Sequence, residues 1–272
     1  MLRQRTIVAI LIVPAAVVLV RLGGIIYLLI VLAILVTAAL EYARMARAAG
    51  AEVSTANLII GVIVVALGSA FPEQSWLEPA LAFFLILTTG WEAFKFERGA
   101  RTPLTNWAAT LAGGCYLGYL GGFLVALREL PNGFWWTMTV LPAVWLADTG
   151  AYVIGSLIGK HRMTPRLSPK KSWEGFIGGG VLGTIITALI ASGWGSASDP
   201  GSGLSWQVGA TLGFLIAVIS PVGDLGISMF KRQVQFKDTG SLLAGHGGVL
   251  DRVDSWLVAA AIGYFYINWF VV

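Results

Sequence analysis

Four aspartates, Asp148, Asp224, Asp251 and Asp254, stand inside or at the edge of long apolar stretches of this chain. An ionisable side chain at membrane depth is costly and by default marks a protein interior or a water-filled cavity. Asp148 lies six residues before the end of its stretch at Ile154, and Asp224 six before Phe230. Each is thus roughly 9 Å of helix from the boundary. Asp251 and Asp254 open the last stretch from the same side, so carboxylates from three helices are expected to share one shallow layer. Simpler roles exist for some of them. Asp251 could be an N-cap with Asp254 in the first turn, and Asp148 could bond a neighbouring helix. Asp224 follows Ser220-Pro221-Val222-Gly223. There Pro221 removes a backbone donor and Gly223 loosens the helix, which predicts a span broken beside the charge.

Two polar segments flank these carboxylates. Residues 159–175 read Gly-Lys-His-Arg-Met-Thr-Pro-Arg-Leu-Ser-Pro-Lys-Lys-Ser-Trp-Glu-Gly, and residues 231–254 run from Lys231-Arg232 to Asp254. Each sets cations and small residues beside a predicted helix N-terminus, the materials of an anion or phosphate cradle. The run Gly245-His246-Gly247-Gly248 allows close backbone approach at the mouth of the acidic layer. Carboxylates beside a phosphate cradle suggest Mg²⁺, which takes one or two protein carboxylates and shares substrate phosphates. Basic loops and bound metal together would neutralise a nucleoside triphosphate. A Walker loop is not the device, because Gly155 to Lys160 is one residue short and His161 stands where Ser or Thr would bind metal. No Ser/His/Asp relay is recognisable, so no covalent intermediate is expected.

The elements that position these groups follow from composition. Of 272 residues, 57% are hydrophobic and only 12% charged, against about 25% charged in a soluble domain. That excludes an ordinary soluble enzyme, and it excludes disorder, whose signature is the reverse. A hydrocarbon core of about 30 Å needs roughly 20 apolar residues of helix. Nine stretches qualify: Thr6–Val20, Leu22–Leu40, Asn57–Phe71, Trp76–Phe94, Asn106–Leu127, Phe134–Ile154, Gly175–Gly193, Trp206–Phe230 and Arg252–Val272. The first two, split by Arg21 and Gly23-Gly24, read as a tight helical hairpin. With the N-terminus inside, 16 of the 18 basic residues fall in inner segments, and only Arg21 and Arg128 fall outside. This is the bias expected of cytoplasmic loops. The net charge of +4 is then topological, and nucleic-acid binding need not be invoked. Cys115 is the single cysteine, which leaves no intrachain disulfide and no cysteine metal site. The N-terminal apolar run lacks a small-x-small cleavage site and is read as a retained span. The expectation is an all-α polytopic membrane protein. It forms one domain, with N-terminal spans in 1–140 and catalytic spans and cytoplasmic loops in 141–272.

The residues Ser228-x-Phe230-Lys231-Arg232, then Lys237-Asp238, then His246-Gly247-Gly248-x-x-Asp251-Arg252-x-Asp254 resemble the signature of phosphatidate cytidylyltransferases, also called CDP-diacylglycerol synthases. Ala147-Asp148-Thr149-Gly150-Ala151-Tyr152 and Ser168-Pro169-Lys170-Lys171-Ser172-Trp173-Glu174-Gly175 resemble two further blocks of that family. The likeness is strongest over 145–255. Ala244 stands where Pro is common and Ser172 where Thr is usual, and neither change removes a charge or hydroxyl.

The resemblance implies the reaction of CTP with phosphatidate to give CDP-diacylglycerol and pyrophosphate, dependent on Mg²⁺, at the cytoplasmic face of a bacterial inner membrane. It implies Asp224 and Asp251 as metal ligands and a homodimer. Lys231, Arg232 and Lys237 would hold the triphosphate, with Lys170 and Lys171 on the opposing loop. His246 would orient a ligand rather than act as base. Asp148, Ser168, Ser228, Asp238, Gly247, Gly248, Arg252 and Asp254 complete the expected substrate-binding set. Three other classes are distinguished by features of the sequence or of the reaction. The acidic layer is too shallow for a transporter and no inverted repeat is seen. A CDP-alcohol phosphotransferase would carry an Asp-Gly-x-x-Ala-Arg run, which is missing. A polyprenol-type lipid kinase would differ in which phosphate of the nucleotide enters lipid.

Overall fold

The computed structural model describes residues 13–199, 201–240 and 247–272. His246 and Ala244 lie outside them. The chain divides into two compact units, one of Met1–Ala126 with Phe230–Val253 and the other of Leu127–Met229 with Asp254–Val272.

The first unit carries α1 (Val13–Leu22), α2 (Gly24–Ala48), α3 (Thr55–Ala70), α4 (Leu77–Glu97) and α5 (Pro103–Glu129), which ends just past the unit boundary. The break between α1 and α2 falls at Gly23 and Gly24, where φ is +62° and +55°. Its core is built on Leu35, Leu58, Val62, Phe84 and Leu117, all fully buried. Phe84 packs between Gly61 of α3 and Gly114 of α5. A Cβ on either glycine would come within 2.1 or 2.3 Å of the ring.

The second unit is built around α6 (Gly133–Ile158), α7 (Trp173–Ala197) and α8 (Trp206–Ile219). Small residues let α6 and α7 approach closely, the usual device where apolar burial gives no advantage over lipid. A methyl on Gly179 would lie 2.5 Å from the Ala147 carbonyl oxygen, and one on Gly183 3.0 Å from the Ala147 methyl. Between α6 and α7 the chain forms a two-stranded antiparallel hairpin, β1 (Arg162–Thr164) and β2 (Ser168–Ser172), pairing Arg162 with Ser172 and Thr164 with Ser168. The loop 159–175 is therefore more ordered than its composition suggests.

The last two helices, α9 (Pro221–Gln233) and α10 (Leu250–Phe270), each begin in one unit and end in the other. The predicted break before Asp224 is present: α8 ends at Ile219, Ser220 caps it, and α9 starts at Pro221. Gly223 has a different reason from the one expected. A Cβ there would fall 2.2 Å from the Asp254 carbonyl oxygen, so this glycine allows α9 to pack against α10.

Among the described residues, six helices are long and apolar enough to cross a membrane: α2, α4, α5, α6, α7 and the segment Trp206–Gln233 through the α8–α9 break. Two shorter apolar helices are Val13–Leu22 and Thr55–Ala70. Large apolar side chains point outward, with Ile86, Leu157 and Leu189 exposed by 73%, 77% and 67%, as expected when the surrounding solvent is hydrocarbon rather than water. This is an integral membrane protein of helical architecture. Most helices extend past the expected stretches, α6 to Ile158 and α7 to Ala197 among them, and three of these shifts bear on the site. α2 continues past Leu40 to Ala48, α9 runs past Phe230 to Gln233, and α10 starts at Leu250 instead of Arg252. Charges end an apolar run but not a ladder of backbone hydrogen bonds, so helices outlast the hydropathy signal.

Candidate functional site

In the second unit the hairpin presents a lysine to a carboxylate. Ser172, at the end of β2, accepts the Gly175 N–H at 3.2 Å and caps α7. That hydroxyl keeps the capping function where the resembled family usually has Thr. The base of the hairpin is closed by the Trp173 N–H on the His161 carbonyl at 2.9 Å. His161 Nδ1 lies 2.5 Å from Glu174 Oε1. Lys171, next to the cap, is thereby fixed at the end of the strand, and its ammonium pairs with Asp224 Oδ2. Ser228, one turn on, donates to Asp224 Oδ1 at 3.4 Å. Asp148 on α6 has Lys171 and Asp224 as its electrostatic neighbours. Thus Asp148, Lys171, Asp224 and Ser228 come together. Ser168 and the exposed Lys170 sit on the same strand as Lys171. Asp254, 5% exposed, faces its own chain, with Oδ1 accepting the Ser255 N–H at 2.6 Å.

In the first unit the centre is Asp251. It is the second residue of α10 rather than its N-cap. Oδ1 accepts from Lys231 Nζ at 2.6 Å. Oδ2 accepts from the backbone N–H groups of Thr239 at 2.8 Å and Gly248 at 3.1 Å, and lies 3.0 Å from Thr239 Oγ1. Burial pushes the Asp251 carboxyl up. The Lys231 hydrogen bond, the Thr239 N–H, the Lys231 charge and the Gly248 N–H outweigh it and hold the group below the ordinary value of 3.8. Gly247 has φ +82°, and a Cβ there would lie 3.3 Å from both Asp238 Oδ1 and Asp251 Oδ2. Asp238 and Asp251 therefore flank the same left-handed glycine. Arg232, Lys237, Asp238 and Arg252 are exposed. His246 lies outside the described residues.

Two residues of this cluster, Thr239 and Glu41, were missed from sequence. Glu41, in the extension of α2, is 8% exposed. Its carboxylate accepts from the Val249 N–H at 2.9 Å, the Leu250 N–H at 2.9 Å and Thr239 Oγ1 at 2.7 Å. The extension is further held by the Tyr42 hydroxyl on the Ala109 carbonyl at 2.9 Å, by Tyr42 edge-on to Phe230, and by Arg44 over the Phe236 ring. The available signal was the position of Glu41 directly after an apolar run, in a helix that had no stop residue there.

The arrangement in each unit is a carboxylate holding an ammonium group beside backbone or hydroxyl donors. Oxygen ligands of this kind suit a hard cation. Among the described residues, no group of three or more His, Cys, Asp or Glu side chains is placed to hold a metal by itself.

Comparison with known proteins extends the likeness to the whole chain. A family profile described as the cytidylyltransferase family matches residues 3–270. A phosphatidate cytidylyltransferase of Mycobacterium bovis is 34% identical over 247 residues, covering 84% of this chain and 76% of that protein. One of Brucella suis is 36% identical over 210 residues, covering 77% and 70%. One of Synechocystis is 30% identical over 300 residues, covering 97% and 96%. Because the match runs through both units and includes every residue of the two carboxylate clusters, the chain belongs to the cytidylyltransferase family and is a nucleotidyltransferase enzyme.

Proposed function

We propose that the protein transfers the cytidylyl group of CTP to phosphatidate, forming CDP-diacylglycerol and pyrophosphate for phospholipid synthesis. The observation that carries this reading is the near full-length similarity to proteins named for that reaction. The spans are proposed to number nine with the N-terminus in the cytoplasm. The carboxylate layer then faces the cytoplasm across a bacterial inner membrane, and two copies form a homodimer.

A phosphatidate oxygen attacks the α-phosphorus of CTP in line. The new P–O bond forms as the bond from the α-phosphorus to the bridging oxygen breaks, and pyrophosphate leaves. A phosphate monoester has its second pKa near 6 and is already largely ionised at pH 7, so no strong general base is required. That leaves His246 as an orienting donor. The nucleophile and the triphosphate are both anionic, and the main obstacle is their repulsion. Lys231, Arg232 and Lys237, with Lys170 and Lys171 of the hairpin, supply positive charge to bound phosphates. Arg252 and Asp254 at the start of α10, together with Ser168, Ser228, Asp148 and Asp238, complete the substrate-binding set.

Asp224 and Asp251 would hold Mg²⁺. Both are oxygen donors that already bind an ammonium ion, and the small number of protein ligands suits a cation that keeps water and substrate phosphates in its shell. When bound, that ion stabilises charge on the attacking and leaving oxygens. Lys171 and Lys231, now paired with these carboxylates, would be released toward phosphate when it binds. A shallow site suits both substrates, since the lipid phosphate sits at headgroup level and CTP arrives from water.

The test is isotopic. Membranes containing the protein, given phosphatidate and CTP labelled at the α-phosphate, should produce labelled lipid that depends on added protein. Label entering lipid from the γ-phosphate instead would overturn the reading in favour of a kinase.

A further inference from the structure

The clearest unused chemical group is Glu41, a buried carboxylate with no cationic partner among the described residues. Its ligands are the N–H of Val249, the residue before α10, the first N–H of α10 at Leu250, and one hydroxyl, from residues 198 to 209 positions away in sequence. The first N–H groups of a helix have no partner within the helix, and a carboxylate there also meets the positive end of the helix dipole. Here that carboxylate comes from a different helix. The packing around it leaves no slack. A Cβ on Gly240 would lie 2.2 Å from Glu41 Oε1, and one on Gly248 2.4 Å from Oε2 and 2.0 Å from Thr239 Oγ1.

Proton counting shows what this does for Asp251. Thr239 is fully buried, and its hydroxyl oxygen lies 2.7 Å from Glu41 Oε2 and 3.0 Å from Asp251 Oδ2. A hydroxyl has one proton to donate, and the shorter distance assigns it to Glu41. Asp251 Oδ2 then keeps the N–H groups of Thr239 and Gly248, while Oδ1 is turned toward its cation. We propose that Glu41 is a positioning residue for the transfer reaction: it clamps Thr239 and the start of α10 so that Asp251 presents Oδ1, undiminished in charge, to a cation. The proposal rests on the reading of Asp251 as a ligand-binding carboxylate of that reaction.

The test uses the full-length protein in detergent, with E41Q and T239V variants. A glutamine has one acceptor oxygen and one donor amide, so in either orientation an N–H of Val249 or Leu250 faces another N–H. In E41Q without metal or nucleotide, hydrogen exchange at Val249 and Leu250 should rise by about tenfold or more. In the same variant kcat should fall by about tenfold or more and the Mg²⁺ concentration for half-maximal rate should rise, while KM for phosphatidate stays within about twofold. The E41Q/T239V double variant should be no worse than the poorer single, since both break one link. Wild-type exchange in E41Q, or fast exchange with unchanged kcat and Mg²⁺ requirement, overturns the proposal. If E41Q does not accumulate, T239V decides: wild-type kcat and Mg²⁺ requirement in that variant overturn it equally. If the wild type itself transfers no α-label, the reaction assignment fails, while the exchange measurement still reports on the clamp.

Discussion

Lys231 Nζ lies 2.6 Å from Asp251 Oδ1, joining the last turn of α9 to the first turn of α10. The two side chains are only 14% and 11% exposed. Removing one member of a buried pair leaves the other charge unpaired, which is more damaging than removing both. K231M should therefore lower the melting temperature, by an amount equivalent to about 1–3 kcal/mol. D251N/K231M should recover part of that loss while remaining inactive. A double variant that melts below both singles would refute the pairing.

The corresponding pair in the other unit predicts a different outcome. Lys171 and Asp224 are 30% and 33% exposed, and exposed pairs contribute about 0–1 kcal/mol. D224N should thus keep near-normal stability and expression but bring CDP-diacylglycerol formation down to background. Retained activity at normal protein levels would remove Asp224 from the site. D251N, in contrast, should lose both activity and stability.

The two neighbouring glycines should respond unequally to a methyl group. At Gly247 the strain is in the backbone, φ +82°, which disfavours an L-residue by about 1–2 kcal/mol. At Gly248 the new Cβ would collide with Thr239 Oγ1 at 2.0 Å and with the Gly240 nitrogen at 2.6 Å. G248A should be the more destabilised and the less active of the two in thermal melts and transfer assays. Equal melting temperatures would contradict the close approach of this turn to Thr239.

Acid sensitivity follows from the lowered pKa of Asp251. Its folded value lies below 3.8, because Lys231 and the two N–H groups outweigh the effect of burial. A depressed carboxyl pKa contributes stability that is fully present above the unfolded value and disappears as pH falls through the folded one. Between pH 7 and 5 this group should cause no loss of stability. Below about pH 4 its contribution should decline, and D251N should flatten that part of the curve. A wild-type decline centred near pH 6 and abolished by D251N would show that the carboxyl is raised instead.

The scarcity of charge, 12% of residues, identified the solvent without any structure, since no polar exterior could be made from this composition. The break at Gly23-Gly24 and the one before Asp224 were legible because a positive φ and a missing N–H are local demands. The hairpin at 162–172 was not legible. Its strands are short and mostly polar, and the apolar alternation that marks a half-buried strand needs a buried face. For Asp251 the sequence leaves an N-cap role open, because its neighbours in sequence allow that. Its actual partners, Lys231 and Thr239, stand 20 and 12 residues away.

Glu41 draws the line between the two kinds of information most clearly. In the sequence it is one charge ending an apolar run, and nothing local gives it a task. Side-chain types and their periodicity determined the membrane setting and which aspartates to examine. Tertiary structure alone decided that a carboxylate from α2 meets the N–H groups opening α10, 209 residues later. Hydrogen bonds act over about 3 Å in space, and chain folding, which local propensity does not encode, determines which groups come within that distance.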